Sequence, residues 1–273
     1  MPFSKFLLFF LPFTTLVWAQ ADSAAREKQL RDLERRESRE RQKIDQAEEQ
    51  ERIKLRTRER DELAKVQLEA TAAAGTTTAA VVATGSLAVV DTDKLAKLKL
   101  AQDEVHNLID NQLGADISAR YEHERNALTR KYNLERAKLE AEQIDAGDDT
   151  AKQRDRAIKT AEINAKFQEQ LDDLALAEAN DTAKLRFTHT TKINTAESDL
   201  AALTSKLLFA QSGKNTTAGF NLTANPDFIK LSAARDQAKS MLETALDELR
   251  ASYRTRHTDI DNAKEDELAK LTE

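Results

Sequence analysis

Apolar positions fall at alternating three- and four-residue spacings along most of this chain, the pattern of helices that each bury one stripe. The stripe is thinnest in the first segment, a helix predicted over 22–70. There it reads Leu30, Leu33, Glu37, Glu40, Ile44, Ala47 and Glu51, with charges where leucines would stand. Such a helix buries little along its middle, so it is expected to project as a stiff arm or to cover one side of a bundle loosely. Glu27–Arg31, Asp32–Arg36, Glu37–Arg41 and Glu48–Arg52 place an acid four residues before a base, the favourable order on a helix surface.

A second helix is predicted over 93–146. Ile117, Leu128 and Leu139 recur every eleven residues, as do Tyr121 and Tyr132, which lines up one face of a nearly straight helix. Gly114 is the position expected to bend or interrupt it. Gly147 followed by Asp148-Asp149-Thr150 stops this helix, and Thr150 with Gln153 has capping-box spacing. The third helix, 150–211, carries its seam in Ile193, Ala196, Leu200, Leu203 and Leu207, and is expected to run through Asn180-Asp181-Thr182 unbroken. The fourth, 226–273, starts with Asn225 as cap, Pro226 in first position and Asp227 at the positive end of the dipole. Its seam is Ala238, Leu242, Ala245 and Leu249, continued by Ile260 and Ala263.

Two segments break the pattern. Residues 71–92 contain Ala, Thr, Val, Gly, Ser and Leu, with no charge before Asp91. They read as a flexible linker, as a short hairpin with strands over Ala79–Ala83 and Leu87–Val90, or as a weakly apolar membrane segment. Residues 212–225 form the second break. Four long helices close most simply as an all-α, elongated antiparallel bundle or as paired helical hairpins with coiled-coil seams. Both breaks then share one tip, and Val81, Val82, Leu87, Val89, Val90, Phe220 and Leu222 become the candidate contacts with a partner or membrane.

Composition narrows the picture. Of 273 residues, 33% are charged and 5% aromatic, and much of that aromatic content lies before residue 19. With only 6 Gly and 3 Pro, there are too few turns for a sheet protein. The first residues read as a secretory leader: Lys5, an apolar run over Phe6–Trp18, then Ala19-Gln20-Ala21 as a small-x-small cleavage signal, with cutting expected after Ala21. Thus 1–21 is a signal peptide, and 22–273 is one helical domain destined for the periplasm or the cell exterior. Losing the leader removes a single base, Lys5, and moves the net charge from −6 to −7, which disfavours nucleic acid and anionic membrane as main partners. There is no cysteine, so stability must come from packing.

Candidate chemistry is sparse. His106, His123, His189 and His257 form no His-Glu-x-x-His and no i,i+4 pair, and read as solvated surface residues. Carboxylate pairs such as Asp148-Asp149 and Asp172-Asp173 are abundant in so acidic a chain, and no phosphate loop, nucleophile elbow or dinucleotide fingerprint occurs. Asn180, Asn215 and Asn221 match the glycosylation pattern at close to chance frequency. No catalytic residue, cofactor, metal or small-molecule substrate is expected. The expected function is a non-enzymatic structural or interaction protein with a protein partner or a second copy of itself. The alternatives are a holdase-like chaperone and a bundle that inserts its 70–92 tip into a membrane. Long-helix pore-forming toxins are similar to the last in layout, with an apolar tongue between long helices and no motif in common.

Overall fold

The computed structural model describes residues 11–81, 92–142, 150–212 and 222–271, with side chains over 24–71, 95–142, 150–208 and 222–271. Every described element is a helix, and no strand occurs among the described residues. In chain order they are α1 (Leu11–Val81), α2 (Thr92–Asn107), a π-helical segment (Leu108–Gly114), α3 (Ala115–Ala141), α4 (Thr150–Ser212), a single 3-10 turn (Leu222–Ala224) and α5 (Pro226–Ala269).

α1 extends past both ends of the predicted 22–70 segment. It opens at Leu11, so Ala19 and Ala21 lie in its first turns. It also continues from Thr71 to Val81, where the composition predicts a loop or hairpin. Alanine is the best helix former, and this stretch is rich in it. Thr71 keeps its hydroxyl busy by donating to the Gln67 and Leu68 carbonyls at 3.1 and 2.9 Å. Residues 79–81 are helical, so the strand expected over 79–83 does not form at its described end. α4 runs through Asn180-Asp181-Thr182 without interruption.

The chain divides into two compact units: unit 1 is Met1–Gln46, Glu122–Asp173 and His257–Glu273, and unit 2 is Ala47–Tyr121 with Leu174–Arg256. Within unit 1, α1 and α3 are antiparallel. Glu37 meets Arg136 at 3.3 Å, Glu40 meets Lys131 at 3.4 Å and Asp45 meets Arg125 at 3.2 Å. Leu33, Leu128 and Tyr132 form the buried core beside this seam, flanked by Ile44 and Leu139. α3 is in turn antiparallel to α4, with Lys138 on Glu162 at 3.0 Å and His123 on Asp173 at 2.7 Å. Between these contacts lies a buried pair, the Arg130 guanidinium on the Asp172 carboxylate. Lys166 of α4 reaches Glu267 of α5 at 2.6 Å.

Unit 2 repeats the order with different joints. Arg120 donates to Glu51 at 2.7 Å, and Arg52 donates to Ser118 at 3.0 Å, joining α1 to α3. Ser198 of α4 donates to the Ala96 carbonyl of α2 at 3.1 Å. Tyr253 of α5 donates to Asp181 of α4 at 2.7 Å, and Lys239 meets Glu197 at 2.8 Å. The core contains Ile109, Ile117, Tyr121, Ala183 and Tyr253. The eleven-residue repeat is therefore the buried face: Ile117, Leu128, Tyr121 and Tyr132 are all buried in their units. α5 begins as its sequence requires, with Asn225 Oδ1 accepting from the Asp227 and Phe228 amides at 2.9 and 3.1 Å.

Gly114 does more than bend its helix. It closes the π-helical segment, and a Cβ at this position would stand 3.0 Å from the Ile109 carbonyl oxygen and 3.8 Å from Leu55 Cδ2. A side chain here would press on backbone, so alanine fits only if that carbonyl gives by a few tenths of an ångström.

Candidate binding groove and exposed end of unit 2

The π-helical segment is anchored at its start by a buried amide. Asn107, 3% exposed, donates from Nδ2 to the Phe187 carbonyl and to Thr191 Oγ1, both at 3.0 Å, and accepts from Asn111 Nδ2 at 2.8 Å. A buried side-chain amide is costly unless its groups are paired, and this one is paired on both of its polar atoms. The contact fixes α2 against α4 at one height and one rotation. Thr191 also donates to the Phe187 carbonyl at 2.9 Å, so its hydroxyl is spent in the same network.

Beside this anchor the helices leave a groove of about 470 Å³. Ala101, Val105 and Leu108 form its wall on the α2 side, Val66 closes it from α1, and Phe187 and Thr191 line it from α4. The π turn takes one more residue per hydrogen bond than an α turn, which rotates the face of α2 relative to that of α3. Leu108 is the first residue of that turn. Glu104 is the one charged residue of the lining, and its residue is exposed. Among the described residues it takes part in no ion pair. Its neighbour His106 is already held by Glu59 at 3.1 Å.

The chain matches no family model, no curated protein and no solved structure.

The candidate tip residues are mostly beyond reach of this geometry. Val82, Leu87, Val89, Val90 and Phe220 lie outside the described residues, and Val81 is the last residue of α1, with its side chain outside them. Leu222 begins the 3-10 turn and is half-buried. What the structure adds is described surface at one end of unit 2. The antiparallel order within unit 2 brings the α1 and α4 C-terminal ends together with the N-terminal ends of α2 and α5. Leu68, Leu95, Leu208 and Ile229, each more than half exposed, lie on those four helices towards that end. Among the described residues the other large apolar side chains left exposed, Ile53 and Met241, also belong to unit 2.

Ionisable groups mostly serve the joints between helices. The Arg120 guanidinium holds the Glu51 carboxyl below its usual range, and Glu51 in turn raises Arg120. Burial pushes the Tyr132 phenol up, helped by its hydrogen bond to Glu40; burial and then the Asp181 carboxylate do the same to Tyr253. Of the four histidines, His106, His123 and His257 each face a carboxylate, while Nδ1 of His189 is buried without a hydrogen-bond partner. Among the described residues, no three metal-ligating side chains gather, and no helix is long and apolar enough to cross a membrane.

Nothing in the sequence pointed to a concave site. The groove residues have the spacing of ordinary seam residues, and only Leu108 belongs to the π turn. Two signals do stand in the sequence: an asparagine among the apolar neighbours Val105, Leu108 and Ile109, and a lone glycine seven residues on.

Proposed function

We propose that this chain is a non-enzymatic structural or interaction protein. Its leader exports it to the periplasm or the cell exterior, and its helices space and present one working end, the end of unit 2 that carries Leu68, Leu95, Leu208 and Ile229. The observation that carries the reading is the distribution of uncovered apolar surface. Leu68, Leu95, Leu208 and Ile229 are exposed on all four helices at that end, next to a stretch without charge from Ala70 to Val90. Exposed apolar side chains towards one end favour burial against a partner. A second copy of the chain, which would bring the same four apolar side chains to the contact, is the partner that fits this end.

Sedimentation velocity on the exported chain tests this directly. Self-association is expected to rise with concentration and to be lost when Leu68, Leu95, Leu208 and Ile229 are changed together to Asp. A chain that stays monomeric, or a variant that associates as well as the parent, would remove self-association. Dye leakage from liposomes, with Val82→Asp as control, and suppression of client aggregation then distinguish the membrane-inserting and holdase alternatives.

A further inference from the structure

We propose that the groove beside the π-helical segment binds an amphiphilic cation, an apolar body of small-molecule size that carries one amine or quaternary ammonium group. This inference does not rest on self-association, since the groove and the exposed end use different residues. Three observations point the same way. First, the groove measures about 470 Å³, within the roughly 300–1,000 Å³ of small-molecule sites. Second, its walls are Val66, Ala101, Val105, Leu108 and the Phe187 ring, and its one hydroxyl, on Thr191, is already committed to Asn107 and to the Phe187 carbonyl. The walls therefore select an apolar body and give a polar one nothing to bond.

The third observation decides the head group. Glu104 is the only charge of the lining and has no cation paired with it among the described residues. Glu104 is exposed and keeps water on its outer side, so an anion in the groove would meet like charge while a neutral body neither gains nor loses by the carboxylate. A cation gains an ion pair. The Phe187 ring adds a second favourable surface for an ammonium group. Selection is thus by repulsion of the wrong charge as much as by attraction of the right one.

Three probes with one body and different heads test the idea: phenylbutylamine, phenylbutanol and phenylbutyrate, titrated into the full chain by calorimetry. Glu104 is exposed, so the preference is modest. The amine should bind about threefold tighter than the alcohol and about tenfold tighter than the carboxylate. Glu104→Gln should erase that order while leaving the alcohol's affinity unchanged. Ala101→Trp, which fills the groove, should weaken all three, with circular dichroism used to check that it folds. Equal binding of the three probes by the parent would overturn the proposal. So would no binding of any, an order that survives Glu104→Gln, or unchanged affinity in a folded Ala101→Trp chain.

Discussion

Arg130 and Asp172 form the most deeply buried ion pair among the described residues, with side chains 12% and 6% exposed, on the α3–α4 joint of unit 1. Each partner has help. Asp172 also accepts from Gln168 at 3.1 Å and from Asn126 at 3.4 Å, and Arg130 has the exposed carboxylate of Glu169 at 4.0 Å. Breaking such a pair by removing one side costs about 3–5 kcal/mol, because a buried charge is left uncompensated. Here the helpers place both single changes near the lower bound. Arg130→Met leaves Asp172 with two amide donors, and Asp172→Leu leaves Arg130 with Glu169, so each should cost about 3 kcal/mol. The double change removes both charges and fills the space with apolar volume, and should fall within about 1 kcal/mol of the parent. Urea unfolding of the four proteins, followed by circular dichroism, measures this as shifts in midpoint at constant slope. The cycle should therefore return a coupling of about 5 kcal/mol. Additive losses of about 6 kcal/mol in the double variant would show that the two residues matter separately, as packing, and the reasoning would fail.

Four other outcomes can be checked. Gly114→Ala should lower the melting temperature: alanine gains about 1 kcal/mol of helix propensity, but its Cβ would press on the Ile109 carbonyl at 3.0 Å; a rise would show that the π turn relaxes freely. Tyr253→Phe should cost about 1.5–3 kcal/mol at neutral pH, the value of a hydrogen bond to a charged group. Because burial and Asp181 raise the Tyr253 phenol in the fold, its contribution is complete below the unfolded value near 10 and fades as pH rises through the folded value. The gap between parent and Tyr253→Phe should therefore close in alkali. Glu51 runs the other way: its carboxyl is lowered by Arg120, so its contribution is present above the ordinary carboxylate range and is lost as pH falls through the folded value. A small stability gap between parent and Glu51→Gln should vanish in acid, and a gap that persists there would exclude the ion pair as its source. Mass spectrometry of the exported chain should find Asp22 at its N-terminus, and retention of residues 1–21 would mark the leader as an anchor.

The fold class was legible because the helical period survives even where the residues are charged. Leu30 to Glu51 reads as one seam, and Leu33, Glu37, Glu40 and Glu51 all meet the facing helix within their units. The expectation of a loosely covering arm misses the partners of those acids, which lie some 70 to 100 residues away and are invisible to a local pattern. Glu37 shows the difference. Local spacing pairs it with Arg41, but it meets Arg136, and Arg41 reaches Thr129 at 3.4 Å. By contrast Glu27–Arg31 and Glu48–Arg52 form as local pairs, at 2.9 and 2.7 Å. Tyr253 is hard to read as core because its neighbours at three- and four-residue spacing, Leu249 aside, are polar. The π turn could not be read at all, since a single glycine fits a bend, a break or a wide turn equally well.

The ion pairs across the joints also share a polarity that a count of charges would hide. In five ion pairs between α1 and its neighbour the acid is on α1: Glu37, Glu40 and Asp45 in unit 1, Glu51 and Glu59 in unit 2. The partners Arg136, Lys131, Arg125, Arg120 and His106 all belong to α2 or α3. Where α3 meets α4 in unit 1, the base is again on α3, in Arg130, Lys138 and His123, facing Asp172, Glu162 and Asp173. Most of these pairs are partly exposed, and exposed pairs contribute only about 0–1 kcal/mol each. They are better understood as choosing partners than as supplying stability. α1 and α4 both offer acids, so seating one directly on the other through these faces would oppose like charges, whereas α3 satisfies both. In a chain with so few bulky core residues, many helix pairings would bury similar apolar area. The sign of the charge on each face, together with buried polar anchors such as Asn107, sets the observed order apart from the rest.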